Sequence, residues 1–430
     1  SATASAGTVP DVVTGVTATA NAGSQIELDW TVPFNGNVAI SGYHIQQSTD
    51  NTTFTDVVAT TTTKPYTITG LTNGQVYYYK VSAINSIGEG GTGTANTTAG
   101  DTPDTPVAPS VTALAGSQIT VSWGTPNGNG YTVDYYDLYQ STDNTNWSLV
   151  ANDTTNTSYT GTNLTNGQTY YYNLQAHNQL GWSSVGATAN VDAGDVPDVI
   201  TIITTNALSS SQIQINWQAP NDNGYGIVQY NIEKSTDGTT FASLTTTQNL
   251  TFTDTSLTNG TTYYYKVLPE NSLGIQTGAN IVNNLAGDVP DAVTTFTVTP
   301  LAGSQIQLDW LAPSDNSYAI SGYDITRSTD GTTFTSLTTV TGLTHTDTGL
   351  TNGQTYYYKV YATNQLGTQT ASPTVNTISG DVPSAITTFT ATPLAGSQIQ
   401  LDWLAPSNNG YAITGYDITK STDGTTYTAL

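Results

Sequence analysis

Ser24-Gln25-Ile26-Glu27-Leu28-Asp29-Trp30 decides the fold, because it returns as Ser304-Gln305-Ile306-Gln307-Leu308-Asp309-Trp310 and, almost unchanged, as Ser397 through Trp403. Ile, Leu and Trp alternate here with polar residues, the period-two pattern of a strand buried on one side. The tryptophans Trp30, Trp123, Trp217, Trp310 and Trp403 are spaced by 93, 94, 93 and 93 residues. The 430 residues are therefore a tandem array of one unit.

A second phrase follows 40 or 41 residues after each of the first four tryptophans. Leu71-Thr72-Asn73-Gly74-Gln75-Val76-Tyr77-Tyr78-Tyr79-Lys80-Val81 has counterparts beginning at Leu164, Leu257 and Leu350. Asn-Gly tolerates positive φ and marks a turn, and the Tyr-rich run after it reads as a strand with Tyr77, Tyr79, Val81 and Ala83 on one face. Between the phrases lie Gly42-Tyr43-His44-Ile45 and a turn signal, Ser48-Thr49-Asp50, which becomes Ser328-Thr329-Asp330-Gly331 later in the chain. No segment carries a sustained helical period. The unit reads as about seven short strands in about 93 residues, which is the pattern of an all-β sandwich.

The Trp of the second strand, the Gly-Tyr-x-Ile third strand, the Leu-x-x-Gly-x-x-Tyr corner and the following Tyr79-Lys80-Val81-Ser82-Ala83-Ile84-Asn85-Ser86-Ile87-Gly88 together resemble the fibronectin type III module. The resemblance implies a linear array of seven-stranded sandwiches over residues 10–100, 101–194, 195–287 and 288–380, with a partial module of four strands over 381–430. Residues 1–9 resemble the last strand and linker of a preceding module, so the chain reads as an excerpt of a longer array. In such a module Trp30, Trp123, Trp217, Trp310 and Trp403 are expected between the sheets. Tyr77, Tyr170, Tyr263 and Tyr356 are expected to donate their hydroxyls to backbone beside the turn, as in a tyrosine corner. Linkers such as Gly194-Asp195-Val196-Pro197-Asp198 are too short and Pro-stiffened for flexible tethers, and consecutive modules are expected to stack end to end.

Composition removes several classes of function. The chain has 7 Lys+Arg against 31 Asp+Glu, a formal charge of −24, so it lacks the cations a nucleic-acid binder needs and would be repelled by an anionic membrane surface. It has no Cys, hence no disulfides, thiolate metal sites or cysteine nucleophile. No run approaches the ~18 apolar residues that span a bilayer. His44, His177 and His345 fall at non-equivalent positions and read as scattered surface residues with no triad or metal spacing around them. The acids fall in turns and linkers, away from any cleft that would pair them for glycoside hydrolysis. No catalytic residue and no cofactor is expected.

Three sets of candidates remain. Asp195 with Asp198 and Asp288 with Asp291 offer hard oxygen ligands at module junctions, which makes calcium the metal to consider. Tyr78, Tyr171, Tyr264 and Tyr357 alternate outward and form a regular aromatic array suited to sugars or lateral protein contacts, and Trp182, which has no equivalent Trp, is the best single binding residue. Sequons at Asn51, Asn96, Asn146, Asn152, Asn156, Asn163, Asn249 and Asn259 permit glycosylation outside the cell. The expected function is a non-catalytic extracellular structural protein of a microbial cell surface, a stalk, sheath or filament subunit that self-associates. The alternatives are the spacer region of a secreted carbohydrate-active enzyme and an adhesin that binds glycans or proteins.

Overall fold

The structure is a computed structural model and describes residues 6–430. The last strand expected over residues 1–9 falls largely on residues 1–5, outside the described residues; residues 6–9 are irregular. Two compact units are present: one takes the chain up to Asp198 with Asn221–Val228 and Pro269–Gln276, the other Val199–Pro220, Gln229–Leu268 and Thr277–Leu430. All regular structure among the described residues is β.

The first module shows how the pattern folds. Its strands are β1 (Thr14–Asn21), β2 (Gln25–Thr31), β3 (Gly42–Ser48), β4 (Thr55–Thr61), β5 (Tyr66–Ile68), β6 (Val76–Asn85), β7 (Gly88–Glu89) and β8 (Gly93–Thr98). One antiparallel sheet runs β1-β2-β5; the other runs β4-β3-β6, with β7 and β8 both pairing along the free edge of β6. The alternation in β2 turns Ile26, Leu28 and Trp30 inward, and that in β6 turns Tyr77, Tyr79, Val81 and Ala83 inward to meet them. The second module repeats the plan with β9 (Ser110–Leu114), β10 (Gln118–Ser122), β11 (Tyr135–Ser141), β12 (Ser148–Thr154), β13 (Ser158–Gly161), β14 (Thr169–Asn178), β15 (Gly181–Trp182) and β16 (Ala189–Asp192). The same two strand orders recur in the next two repeats.

The seventh strand is interrupted where the sequence pattern suggests one continuous run. Between β7 and β8 the incoming linker crosses so closely that a Cβ on Gly90 would lie 2.3 Å from the Pro10 carbonyl oxygen, and one on Gly91 2.1 Å from Val12. Val13 N–H donates to Gly91 O at 3.2 Å, so the linker takes over part of the edge.

Each of the five recurring tryptophans packs edge-on against a tyrosine, as Trp30 does on Tyr43 with centroids 4.9 Å apart and Trp310 on Tyr323 at 5.5 Å. The indole N–H groups of Trp30, Trp123, Trp217 and Trp310 are buried without a hydrogen-bond partner among the described residues. At the tyrosine corner the hydroxyl accepts where donation was expected: Thr72 N–H donates to Tyr77 Oη at 3.1 Å, and Thr165, Thr258 and Thr351 do the same to Tyr170, Tyr263 and Tyr356. After the third strand, Asp50 Oδ1 accepts the N–H groups of Thr52 and Thr53, both at 2.7 Å, and the next residue turns left-handed. That residue is Asn51 or Asn144 in the first two modules and Gly238, Gly331 or Gly424 in the others, the residue types that tolerate positive φ.

The later modules carry a buried ionic group that the first two lack. Arg327 Nη1 reaches both oxygens of buried Asp347, at 3.1 and 3.0 Å, and Tyr358 donates its hydroxyl to the same carboxylate at 2.8 Å. Lys234, Asp254 and Tyr265 repeat the arrangement. Ile68 and Gly161 occupy the Asp position in the first two modules, where the Tyr79 and Tyr172 hydroxyls are buried without partners among the described residues. Beyond residue 380, Phe389–Leu394 pairs with Gln398–Trp403 and Thr419–Lys420 with Thr428–Ala429. Ile399 is 68% exposed, whereas the equivalent Ile306 is 0% exposed.

Candidate functional site: the module junctions

The junctions are assembled from one aspartate per linker. Asp195 Oδ1 accepts from Gly116 N–H in the turn between β9 and β10 of the preceding module, at 2.7 Å, and from the next linker amide, Val196, also at 2.7 Å. Its own N–H donates to Asn223 O of the following module at 3.2 Å, and its carbonyl accepts from Asn271 Nδ2 at 2.7 Å. Asp101, Asp288 and Asp381 bind Gly23, Ser210 and Gly303 through the same oxygen. One residue thus holds backbone of both modules, which a flexible tether does not do.

A tyrosine and an asparagine close the joint from the other side. Tyr131, Tyr225, Tyr318 and Tyr411 donate their hydroxyls to Thr98, Asp192, Leu285 and Ile378 carbonyls at 2.6–2.8 Å, each reaching back across the linker. Their rings lie against the linker glycine: a Cβ on Gly100, Gly194, Gly287 or Gly380 would fall 2.4–2.6 Å from a ring carbon. Asn129, Asn223, Asn316 and Asn409, all left-handed, donate Nδ2 to the linker carbonyls of Thr102, Val196, Val289 and Val382. The loop tips abut the preceding Asn-Gly corner, so that a Cβ on Gly224 would meet Gly167 N at 2.5 Å.

The calcium candidates sit inside this network. Asp195 and Asp288 each give Oδ1 to two backbone amides, and Asp198 and Asp291 accept from Asn223 and Asn316 side chains, both at 3.0 Å. Among the described residues no group of three or more His, Cys, Asp or Glu is placed to hold a metal. Tyr78, Tyr171, Tyr264 and Tyr357 lie on the outer face but are half-buried; Tyr264 and Tyr357 lie over the left-handed Gly238 and Gly331 of the preceding turn. All eight sequon asparagines are exposed.

Two histidines are more constrained than scattered surface residues. His44 is clamped between Asp56 at 2.8 Å and Glu89 at 2.9 Å. Burial alone would lower its pKa, but the two carboxylates outweigh that and raise it. His177 pairs with Asp134 at 2.8 Å and lies between the rings of Tyr135 and Trp182, with centroids 5.8 and 4.7 Å away. Trp182 is 37% exposed and Tyr135 40% exposed.

The model of the Fibronectin type III domain matches residues 11–99, 104–192 and 291–378. The chain belongs to the fibronectin type III family. The third repeat lies outside those matches yet has the same fibronectin type III strand orders. Exoglucanase B of Cellulomonas fimi is 29% identical over 342 residues, 75% of this chain and 28% of the relative. Endoglucanase B of Cellulomonas fimi is 30% identical over 241 residues, covering 50% and 22%. Human receptor-type tyrosine-protein phosphatase H is 25% identical over 319 residues, covering 72% and 26%. In each case the match spans about a quarter of the relative's length, 28%, 22% and 26%.

Sequence reading missed the asparagines that share the work of Tyr131 and its equivalents. Asn178, Asn271 and Asn364 each donate to the carbonyl of a linker aspartate, and their fixed place seven residues after the corner strand's second Tyr, Tyr171, Tyr264 or Tyr357, was the available signal.

Proposed function

We propose that this chain is a non-catalytic extracellular spacer, a run of fibronectin type III modules that sets the separation between parts of a secreted protein acting on polysaccharide. The observation that carries the reading is the bridging aspartate, which fixes each module to the next through backbone of both. A spacer transmits distance only if its joints resist bending, and these joints combine hydrogen bonds with ring-on-glycine contacts too close for any side chain. The similarity to parts of an exoglucanase and an endoglucanase supports placing it beside a carbohydrate-active domain. The test is twofold. The 430-residue chain should release no sugar from soluble glucans, and the full gene product should carry an unlike domain beside the array. Hydrolysis by the chain alone would refute the non-catalytic reading, and a gene product made only of further repeats would refute the spacer.

The identity of Ser304–Trp310 and Ser397–Trp403 favours a second reading, a stalk or filament subunit in which repetition itself is used. Electron microscopy of the source material separates them: a polymer with an axial repeat of a whole number of modules supports the filament.

A further inference from the structure

On the outer face of the larger sheet, three modules share one contact. Lys80 lies over the Phe54 ring at 3.8 Å from its centroid, Lys266 over Phe241 at 4.0 Å and Lys359 over Phe334 at 4.2 Å. In the second module the lysine is replaced by Asn173 and the phenylalanine by Trp147. A cavity of about 360 Å³ opens there, lined by Tyr139, Trp147, Asn173, Gln175 and Val185. Asn173 is only 7% exposed, and its carboxamide has no hydrogen-bond partner among the described residues.

The same face has gained other aromatic groups. Tyr139 stands across from Asn173 in β11, where the first and fourth modules have Gln46 and Thr326 across from their lysines. Tyr135 replaces Gly42 and Gly322, and it faces His177, which in turn faces Trp182. Asn173 and His177 are four residues apart on one side of β14, so cavity and exposed rings form a strip with a separation of ~13 Å at ~3.3 Å per residue.

We infer that this strip on the second module binds a neutral sugar chain, with one ring in the cavity over Trp147 and the next toward Tyr135 and Trp182. A pyranose offers an apolar C–H face to aromatic rings, and hydroxyls that both donate and accept. The Asn173 carboxamide also does both, whereas a cation offers no acceptor and would leave its NH₂ unmatched. The nearby carboxylates are engaged: Asp137 accepts from Asp153 N–H at 2.9 Å, and Asp134 holds His177. A volume of about 360 Å³ is within the usual range of small-ligand sites. The proposal stands apart from the spacer reading, which survives if no sugar binds.

The full chain is titrated calorimetrically with cellohexaose, maltohexaose and hexa-N-acetylchitohexaose, and with tetramethylammonium as the cationic probe. One hexasaccharide should bind at one site per chain. Asn173→Lys, which restores the cover that the other modules carry, should weaken it at least ~10-fold without changing the melting profile. Trp182→Ala should weaken the hexasaccharide more than the corresponding disaccharide. The proposal is overturned if none of the three binds at millimolar concentration, if Asn173→Lys and Trp147→Ala bind as tightly as the unmodified chain, or if tetramethylammonium binds in place of sugar.

Discussion

Gly287→Ala tests whether the junctions are built as tightly as their geometry requires. The added methyl would fall 2.5 Å from Tyr318 Cδ2 and 2.6 Å from the Asn316 carbonyl oxygen. Gly287 has no left-handed φ, so the cost is steric and does not come from the backbone. The ring cannot retreat without giving up the Tyr318 hydroxyl bond to Leu285 O at 2.7 Å, and the Asn316 carbonyl cannot retreat without loosening its bond from Asp288 N–H at 3.2 Å. Overpacking costs ~1–3 kcal/mol and one lost hydrogen bond about 1 kcal/mol, together roughly 2–4 kcal/mol. Both flanking modules keep their own cores, so the loss falls on their coupling. At ~4–8 °C per kcal/mol for a domain of this size, scanning calorimetry of the full chain should show one transition lowered by at least ~8 °C. Gly124→Ala is the control, since nothing lies within 4 Å of its added carbon and its φ is not left-handed. If Gly287→Ala melts like Gly124→Ala, the joint yields to a methyl and the argument for a stiff spacer fails.

Four further outcomes follow from the same structure. Arg327→Met strands the buried Asp347 carboxylate and should cost ~3 kcal/mol by denaturant unfolding, while adding Asp347→Ile, the choice made at Ile68, should restore most of it. The Asp330 carboxyl is held well below its usual range by the amides of Thr333 and Thr332 and the Ser328 hydroxyl. Its contribution is therefore full above ~3.9 and lost as pH falls toward the folded value, so Asp330→Asn should flatten the acid limb of the stability curve. His44 has the opposite sign: its raised pKa gives stability that is full below ~6.5 and fades as pH rises through the folded value, so His44→Gln should cost more at pH 5 than at pH 9. Chelation of calcium should leave the melting temperature unchanged, because the linker aspartates already accept from protein donors; a shift of several degrees would restore Asp195, Asp198, Asp288 and Asp291 as ligands.

The inward set of β2 and β6 was legible because a half-buried strand writes its burial into every second residue, and Ile26, Leu28, Tyr79 and Val81 could hardly face water. The left-handed turn after Asp50 was legible for a similar local reason: Asn51 and Gly331 suit one backbone conformation. The break between β7 and β8 was not, because its cause is the linker passing over Gly90 from about eighty positions earlier in the chain. The direction of the corner hydrogen bond was also hidden, since a phenol can donate or accept and only the position of Thr72 N–H decides. His44 read as an isolated surface residue because Asp56 and Glu89 reach it from two other strands.

The scarcity of cations gives the second module its meaning. Of the 7 Lys and Arg in the chain, Lys80, Lys266 and Lys359 lie over phenylalanine rings, Lys234 and Arg327 pair with buried aspartates, and Lys64 meets Asp29 at 2.7 Å. A chain with so few positive groups places six of them at defined structural contacts, so losing one from a recurring site is a substantial departure. At Asn173 the departure comes with a larger ring at Trp147 and new aromatic groups at Tyr135, Tyr139 and Trp182, all on one sheet face. A random loss of the lysine would leave Phe uncovered and its surroundings as in the other modules. These changes come from three strands that meet only in the folded sheet, and they put the ligand question on the module that has lost the lysine.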